Sequence, residues 1–185
     1  MGDTVNRRQV IKWILSGLTI PIIPGVVENV FAAKNSRNRS GKLSLYHVHT
    51  HDSIDVRYMN DQGLFDPTAL KKLDDFFRCR FTNKVHTIDP ALFYWMDVIK
   101  TRLGASNSTY HLYSGYRSPE YNRYLRRKSR RVAKKSYHLR GMAADVRLEN
   151  VGLNRLKREA RRLSFGGVSR YGRFVHIDVG PCRTW

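Results

Sequence analysis

An α+β domain, with helices packed on a small and mainly antiparallel sheet, is the fold this sequence predicts, and three observations point to it. Asp66-Pro67, Asp89-Pro90 and Ser118-Pro119 each set an N-capping side chain before a proline at the first helical position. Apolar residues at helical spacing follow each pair. The last third of the chain instead carries short apolar runs broken by glycine turns, a pattern of strands.

Each element can be justified in order. Residues 43–51 alternate, which places Leu43, Leu45, His47, His49 and His51 on one face of a strand and Ser44, Tyr46 and Val48 on the other. Gly63 turns the chain. After Asp66-Pro67, the residues Leu70, Leu73, Phe76 and Phe77 form a buried stripe, and after Asp89-Pro90 the stripe is Leu92, Trp95, Met96, Ile99 and Leu103. Residues 111–116 read as a short strand. The helix opened by Ser118-Pro119 carries Tyr121, Tyr124 and Leu125 and runs into the basic residues 126–131, expected to end as a solvated loop. Residues 143–147 form a strand after a turn at Gly141, and Leu153, Leu156, Ala160 and Leu163 line a fourth helix that Gly166-Gly167 ends. Val168-Ser169 and residues 174–179 close the fold as strands around Tyr171-Gly172-Arg173. The helices are therefore expected first and the sheet later.

The length of 185 residues suits one domain with a real core. A formal charge of +19, from 34 Lys and Arg against 15 Asp and Glu, accompanies an aromatic content of 11%, too high for a disordered basic chain. Such a charge calls for an anionic partner: nucleic acid, acidic wall polymer or a membrane surface. Two cysteines, Cys79 and Cys182, exclude a disulfide scaffold and a cysteine-rich zinc module. The sequence leaves open whether they pair with each other.

Residues 1–33 have the form of a processing signal. Arg7, Arg8 and Lys12 precede an apolar run from Trp13 to Val27, and Phe31-Ala32-Ala33 offers small residues for a leader peptidase. Asn6-Arg7-Arg8-Gln9-Val10-Ile11-Lys12 resembles a bacterial twin-arginine export signal, which implies a partnership with export machinery and a periplasmic location. Cleavage and retention as an inner-membrane anchor are both open. Residues 34–42 read as a linker and 43–185 as the folded domain. The leader holds only three basic and two acidic residues, so the basic character belongs to the domain. Outside the cytoplasm little nucleic acid is available, and no nucleic-acid partner is expected. Residues 123–135, with eight basic residues and no acidic one, lack the interleaved aromatics of a base-stacking surface.

His138, Asp145 and His176 offer two imidazoles and a carboxylate, a suitable ligand set for one catalytic zinc with a fourth position open to water. Seven histidines allow many such triples, so the surrounding sequence decides. Ser-Gly-Tyr-Arg-Ser-Pro (114–119), Ser-Tyr-His-Leu-Arg-Gly-Met-Ala-Ala-Asp-Val-Arg (136–147) and Gly-Arg-Phe-Val-His-Ile-Asp-Val-Gly (172–180) resemble the three motifs of the D-alanyl-D-alanine carboxypeptidase and murein endopeptidase superfamily, peptidase family M15. The similarity is to its branch of small, twin-arginine-exported murein endopeptidases, and extends through residues 43–50 and 88–90. This resemblance implies zinc bound by His138, Asp145 and His176, with Arg117 facing the substrate. Tyr116, Ser118 and His49 are expected to line the substrate site. It further implies cleavage of peptide cross-links in peptidoglycan by zinc-activated water. Oligomeric state is left open.

Two departures qualify the resemblance. Several members of the superfamily carry Glu or His three residues before the last ligand, as general base. Here that residue is Arg173, which cannot accept a proton. Asp178, two residues beyond His176 on a strand, is the candidate for that base, or else the partner that orients the imidazole. Loss of the base without replacement would make the chain a non-catalytic zinc-containing wall-binding module. His51-Asp52 stands where branch relatives tend to have Gly-Glu. The histidines of residues 47–51 also suggest a barrel-type metal hydrolase, but a barrel typically needs ~250 residues.

Overall fold

All three capping sequences start helices in a computed structural model, which describes residues 39–130 and 132–184. Asp66 accepts hydrogen bonds from the backbone N–H of Thr68 and Ala69 and opens α1 (Pro67–Phe76). Asp89 accepts from Ala91 N–H and opens α2 (Pro90–Arg102), while Ser118 Oγ accepts from Tyr121 N–H and opens α3 (Pro119–Lys128). The last turn of α3 holds Arg126, Arg127 and Lys128, cations that complement the negative end of the helix dipole. A fourth helix, α4 (Leu153–Leu163), buries Leu156 and Ala160. The expected leader lies outside the described residues. Among those residues, no helix is long and apolar enough to cross a membrane.

Among the described residues, seven strands form one sheet: β1 (Lys42–His47), β2 (Ser53–Arg57), β3 (Tyr110–Ser114), β4 (Ala143–Leu148), β5 (Gly167–Arg170), β6 (Val175–Asp178) and β7 (Arg183–Thr184). Their order is β2-β1-β3-β4-β6-β5-β7. Pairing is antiparallel except for β1 with β3 and β5 with β7. The α+β class and the mainly antiparallel sheet are thus as the sequence predicts. The expected order of helices before sheet is corrected, because β1 and β2 precede α1 and two helices connect the parallel pair β1 and β3. The first strand also ends earlier than the alternation suggests. His47 Nδ1 accepts from the N–H of His49 and Thr50, and His51 adopts φ 62°, so the chain turns into β2 and leaves His49 and His51 exposed.

One face of the sheet, with Leu43, Leu45, Leu112, Val146, Leu148, Val175 and Ile177, packs against α2 and α4. The sequence expects α2 to bury a stripe, yet it buries Leu92, Phe93, Tyr94, Met96, Val98 and Ile99 together with Asp97 and Lys100. Asp97 is fully buried because it has work there: its carboxylate accepts from the N–H of Ser40 and Gly41, from Ser40 Oγ and from the Tyr58 hydroxyl. Ser40 and Gly41, read from the sequence as linker, are held by these bonds at the start of β1. Cys79 is buried, Cys182 is exposed, and no disulfide joins them.

Candidate active site

Alternation along β4 and β6 decides which side chains leave the core. Val146 and Val175 point to the helices, so Asp145 and His176, one residue away, point to the opposite face. They are directly paired across the two strands, as Asp145 is with Ser114 of β3. His138 arrives from a single 3-10 turn, Tyr137–Arg140, which Gly141 closes at φ 66°. A Cβ on Gly141 would lie 2.3 Å from the Thr87 carbonyl oxygen, so only glycine brings this turn so close to the chain before α2.

The three side chains the sequence nominates as ligands converge. His138 Nε2 lies 3.2 Å from both Asp145 Oδ1 and His176 Nδ1, and His176 Nδ1 lies 2.9 Å from Asp145 Oδ1. One donor atom from each falls within 4.8 Å of the others. Donors ~2.0–2.1 Å from a zinc ion at tetrahedral angles stand roughly 3.3–3.4 Å apart, close to these separations. The outer nitrogens fix the tautomers. His138 Nδ1–H donates to the Gly115 carbonyl at 2.7 Å, and His176 Nε2–H donates to Asp178 Oδ2 at 3.0 Å. Both remaining lone pairs therefore face Asp145 Oδ1, and the donor set fits a divalent cation.

Electrostatics support the neutral His138 and the ionised Asp145 of that assignment, and favour the proton on His176 that a bound cation would displace. Burial, aided by the Arg117 guanidinium, pushes His138 down to about 4, so its imidazole is neutral at ordinary pH. Burial works to raise the Asp145 carboxyl, but the neighbouring His138 and His176 and the Arg117 guanidinium together hold it well below the usual carboxylate range. Burial opposes charge on His176, while hydrogen bonds to Asp145 and Asp178 lift it above the ordinary histidine value.

Arg117 bonds through Nη2 to Asp145 Oδ2 and through Nε to Ser114 Oγ at 2.9 Å, and its N–H donates to the His138 carbonyl at 3.1 Å. It ties two of the converging residues together. The turn that carries it depends on Gly115, where a Cβ would sit 2.7 Å from the Phe77 carbonyl oxygen. Asp178 is as close to His176 as its spacing predicts, yet its side chain is fully enclosed. Oδ1 accepts from Gly167 N–H, Gly180 N–H and Arg183, and Oδ2 from His176 and Arg183.

The expected substrate-lining residues divide. Ser118 is fully buried, with its hydroxyl engaged as the α3 cap. Tyr116 is buried with its ring 4.7 Å from that of His86. His49 is exposed at the end of the sheet where β1 and β3 both finish, the end that Asp145 shares through its pairing with Ser114. Arg173 is exposed and lines, with Tyr113 and Arg147, a hollow of about 400 Å³. Two contributors are invisible in the sequence: the Gly115 carbonyl that orients His138, a backbone atom, and the Arg117–Asp145 pair, a long-range contact. No sequence signal could have found either.

The geometry suits metal-dependent chemistry, and comparison with known proteins decides the family. Residues 33–185 match the sequence model of the family described as peptidoglycan L,D-endopeptidase MepK. The chain belongs to this family. A Haemophilus influenzae protein named "Probable peptidoglycan L,D-endopeptidase MepK" is 38% identical over 183 residues, spanning 97% of this chain and 95% of its own. Peptidoglycan L,D-endopeptidase MepK of Escherichia coli K12 is 41% identical over 182 residues, 97% of both chains. No solved structure matches the chain. The M15-type murein endopeptidase resemblance seen in the sequence is thereby established as family membership, over a region that includes the whole converging cluster.

Proposed function

We propose that this chain is an exported zinc endopeptidase that hydrolyses peptide cross-links of peptidoglycan, at the L,D-type bond named for its relatives. The observation that carries the proposal is the convergence of His138 Nε2, Asp145 Oδ1 and His176 Nδ1, with both histidine tautomers fixed from behind. A zinc ion held by these three residues would polarise the scissile carbonyl and acidify a water at the remaining position. The chain's own part is preorganisation. Arg117 keeps Asp145 ionised and aimed, and stands where a carbonyl or carboxylate of the substrate would meet a cation. Asp178 is committed to five donor contacts, so its role is to orient His176 and not to take a proton from water. Arg147, two residues from Asp145 along β4, and Arg173, three before His176, give the hollow they share a positive lining suited to the carboxylates of stem peptides. Arg7-Arg8 and the apolar run after them support export to the periplasm, where peptidoglycan lies.

The test is digestion of purified, cross-linked peptidoglycan by the full chain with zinc, beside His138→Ala, with products identified by mass. Dimeric stem peptides should disappear with the wild type and persist with the variant. A wall left intact by a wild type that binds zinc stoichiometrically would overturn the peptidase reading in favour of a non-catalytic wall-binding module, the outcome that Arg173 at the usual base position allows.

A further inference from the structure

Four large apolar side chains are exposed among the described residues, and three of them belong to α3 or to the loop packed against it: Phe81 at 55%, Val85 at 54% and Tyr124 at 37%. Phe81 stacks on Tyr121, with centroids 5.0 Å apart and planes 12° apart, and on Tyr124 at 5.3 Å and 19°. Tyr121, Tyr124 and Lys128 recur at helical spacing on one face of α3. The loop that presents Phe81 is closed on itself. Cys79 N–H donates to the Lys84 carbonyl, Thr82 and Asn83 donate to the Cys79 carbonyl, and Lys84 Nζ pairs with Glu120 of α3 at 2.9 Å. Cations border the rings: Arg80 donates to the Tyr121 hydroxyl and lies over its ring at 5.3 Å, and Lys128 lies over Tyr124 at 5.8 Å.

We propose that Phe81 and Tyr124, backed by Tyr121, form a stacking platform for the amino-sugar strand of peptidoglycan, beginning one helical turn beyond Arg117. The inference rests on the proposed substrate and adds the part of it that is not peptide. A flat apolar surface held rigid in water suits a flat apolar ligand face, and a pyranose ring offers one in its axial C–H bonds. Its hydroxyl and acetamido oxygens extend past the ring edge, where Arg80 and Lys128 supply charged donors. The same strand carries the stem peptides, so holding it on α3 delivers a cross-link toward the cluster at the start of that helix.

The probe is glycan strands freed of their stem peptides, with binding to the full zinc-loaded chain measured for the wild type, Phe81→Ala, Tyr124→Ala and Phe81→Tyr. Each alanine variant should bind roughly tenfold more weakly, the loss of one aromatic contact, and Phe81→Tyr should stay within about twofold of the wild type. Equal binding by the wild type and both alanine variants would overturn the platform. So would a wild-type dimer that Phe81→Ala dissociates with no change in strand binding, since the patch would then serve self-association. Cleavage of a sugar-free cross-linked peptide by the wild type reports on the peptidase reading separately. A chain that leaves this peptide intact, yet binds strands through Phe81, loses that reading and keeps the platform.

Discussion

Asp178→Asn separates an orienting role from a catalytic one at the second residue of the Val175–Asp178 strand to face the cluster. Asparagine has the shape of aspartate, and its amide oxygen can still accept from Gly167 N–H and Gly180 N–H, as Oδ1 does now. The amide NH₂ then takes the place of Oδ2 and meets His176 Nε2–H, which lies 3.0 Å from that oxygen. Two donors cannot share that contact, so His176 must place its proton on Nδ1, the nitrogen that faces Asp145 and His138. The lone pair needed by a metal is lost from the favoured tautomer. Changes to the groups that orient metal-bound histidines typically cost 10–100-fold in affinity, or about 1.4–2.8 kcal/mol. Competition against a chromophoric chelator measures the zinc affinity, and cleavage of cross-linked peptide is then followed at zinc concentrations that saturate both proteins. Most of the lost activity should return when zinc is saturating. Wild-type zinc affinity combined with abolished cleavage would refute the reasoning and identify Asp178 as the base.

Three further outcomes follow from individual contacts. Gly115→Ala should weaken zinc binding by about tenfold or more, because a Cβ 2.7 Å from the Phe77 carbonyl must displace the backbone whose own carbonyl orients His138, and the same chelator competition reads it. His47, pushed down to about 4 by burial and then by His49, Arg80 and Arg78, is neutral in the fold, whereas the unfolded chain protonates near 6.5. Its contribution is therefore complete above about pH 6.5 and is lost as the pH falls toward 4, by at most ~3 kcal/mol. Urea unfolding across that range should show a flatter slope in His47→Asn, whose side-chain oxygen can still accept from the N–H of His49 and Thr50. Asp97→Ala leaves buried donors from Gly41 and Tyr58 without an acceptor and should cost about 2–4 kcal/mol, seen as a lower midpoint in thermal unfolding.

The parts of the fold legible in the sequence are those fixed by chemistry within a few residues. Asp66, Asp89 and Ser118 cap their own helices, so three starts can be read directly. The Ser53–Arg57 strand cannot. Its buried Val56 and half-buried Ile54 do alternate with Ser53, Asp55 and Arg57, but two apolar residues in a five-residue edge strand give the period too little length to stand out. The alternation of residues 43–51 misleads for a related reason: His49 and His51 continue the period by chance, while a turn capped by the His47 ring and a positive φ at a histidine have no sequence signature.

The site divides along the same line. Asp145 and His176 are strand neighbours whose facing could be inferred from alternation, and Asp178 lies beside His176 because residues two apart on a strand share a face. His138 joins them only through Gly141 against Thr87 and through a carbonyl 23 residues earlier in the chain, so the resemblance to a known family identified it where spacing alone left many triples. Arg117 illustrates the limit most clearly. Its motif places a cation near the proposed metal site, but only the folded chain reveals that the guanidinium is bonded to Asp145 and braced by Ser114. A substitution there would act on the proposed metal site before it acted on any substrate. Arg117→Lys should therefore lower zinc affinity as well as turnover, because a single ammonium cannot hold Asp145 and Ser114 together as the planar fork does. A loss of turnover with zinc affinity unchanged would instead assign Arg117 to the substrate alone.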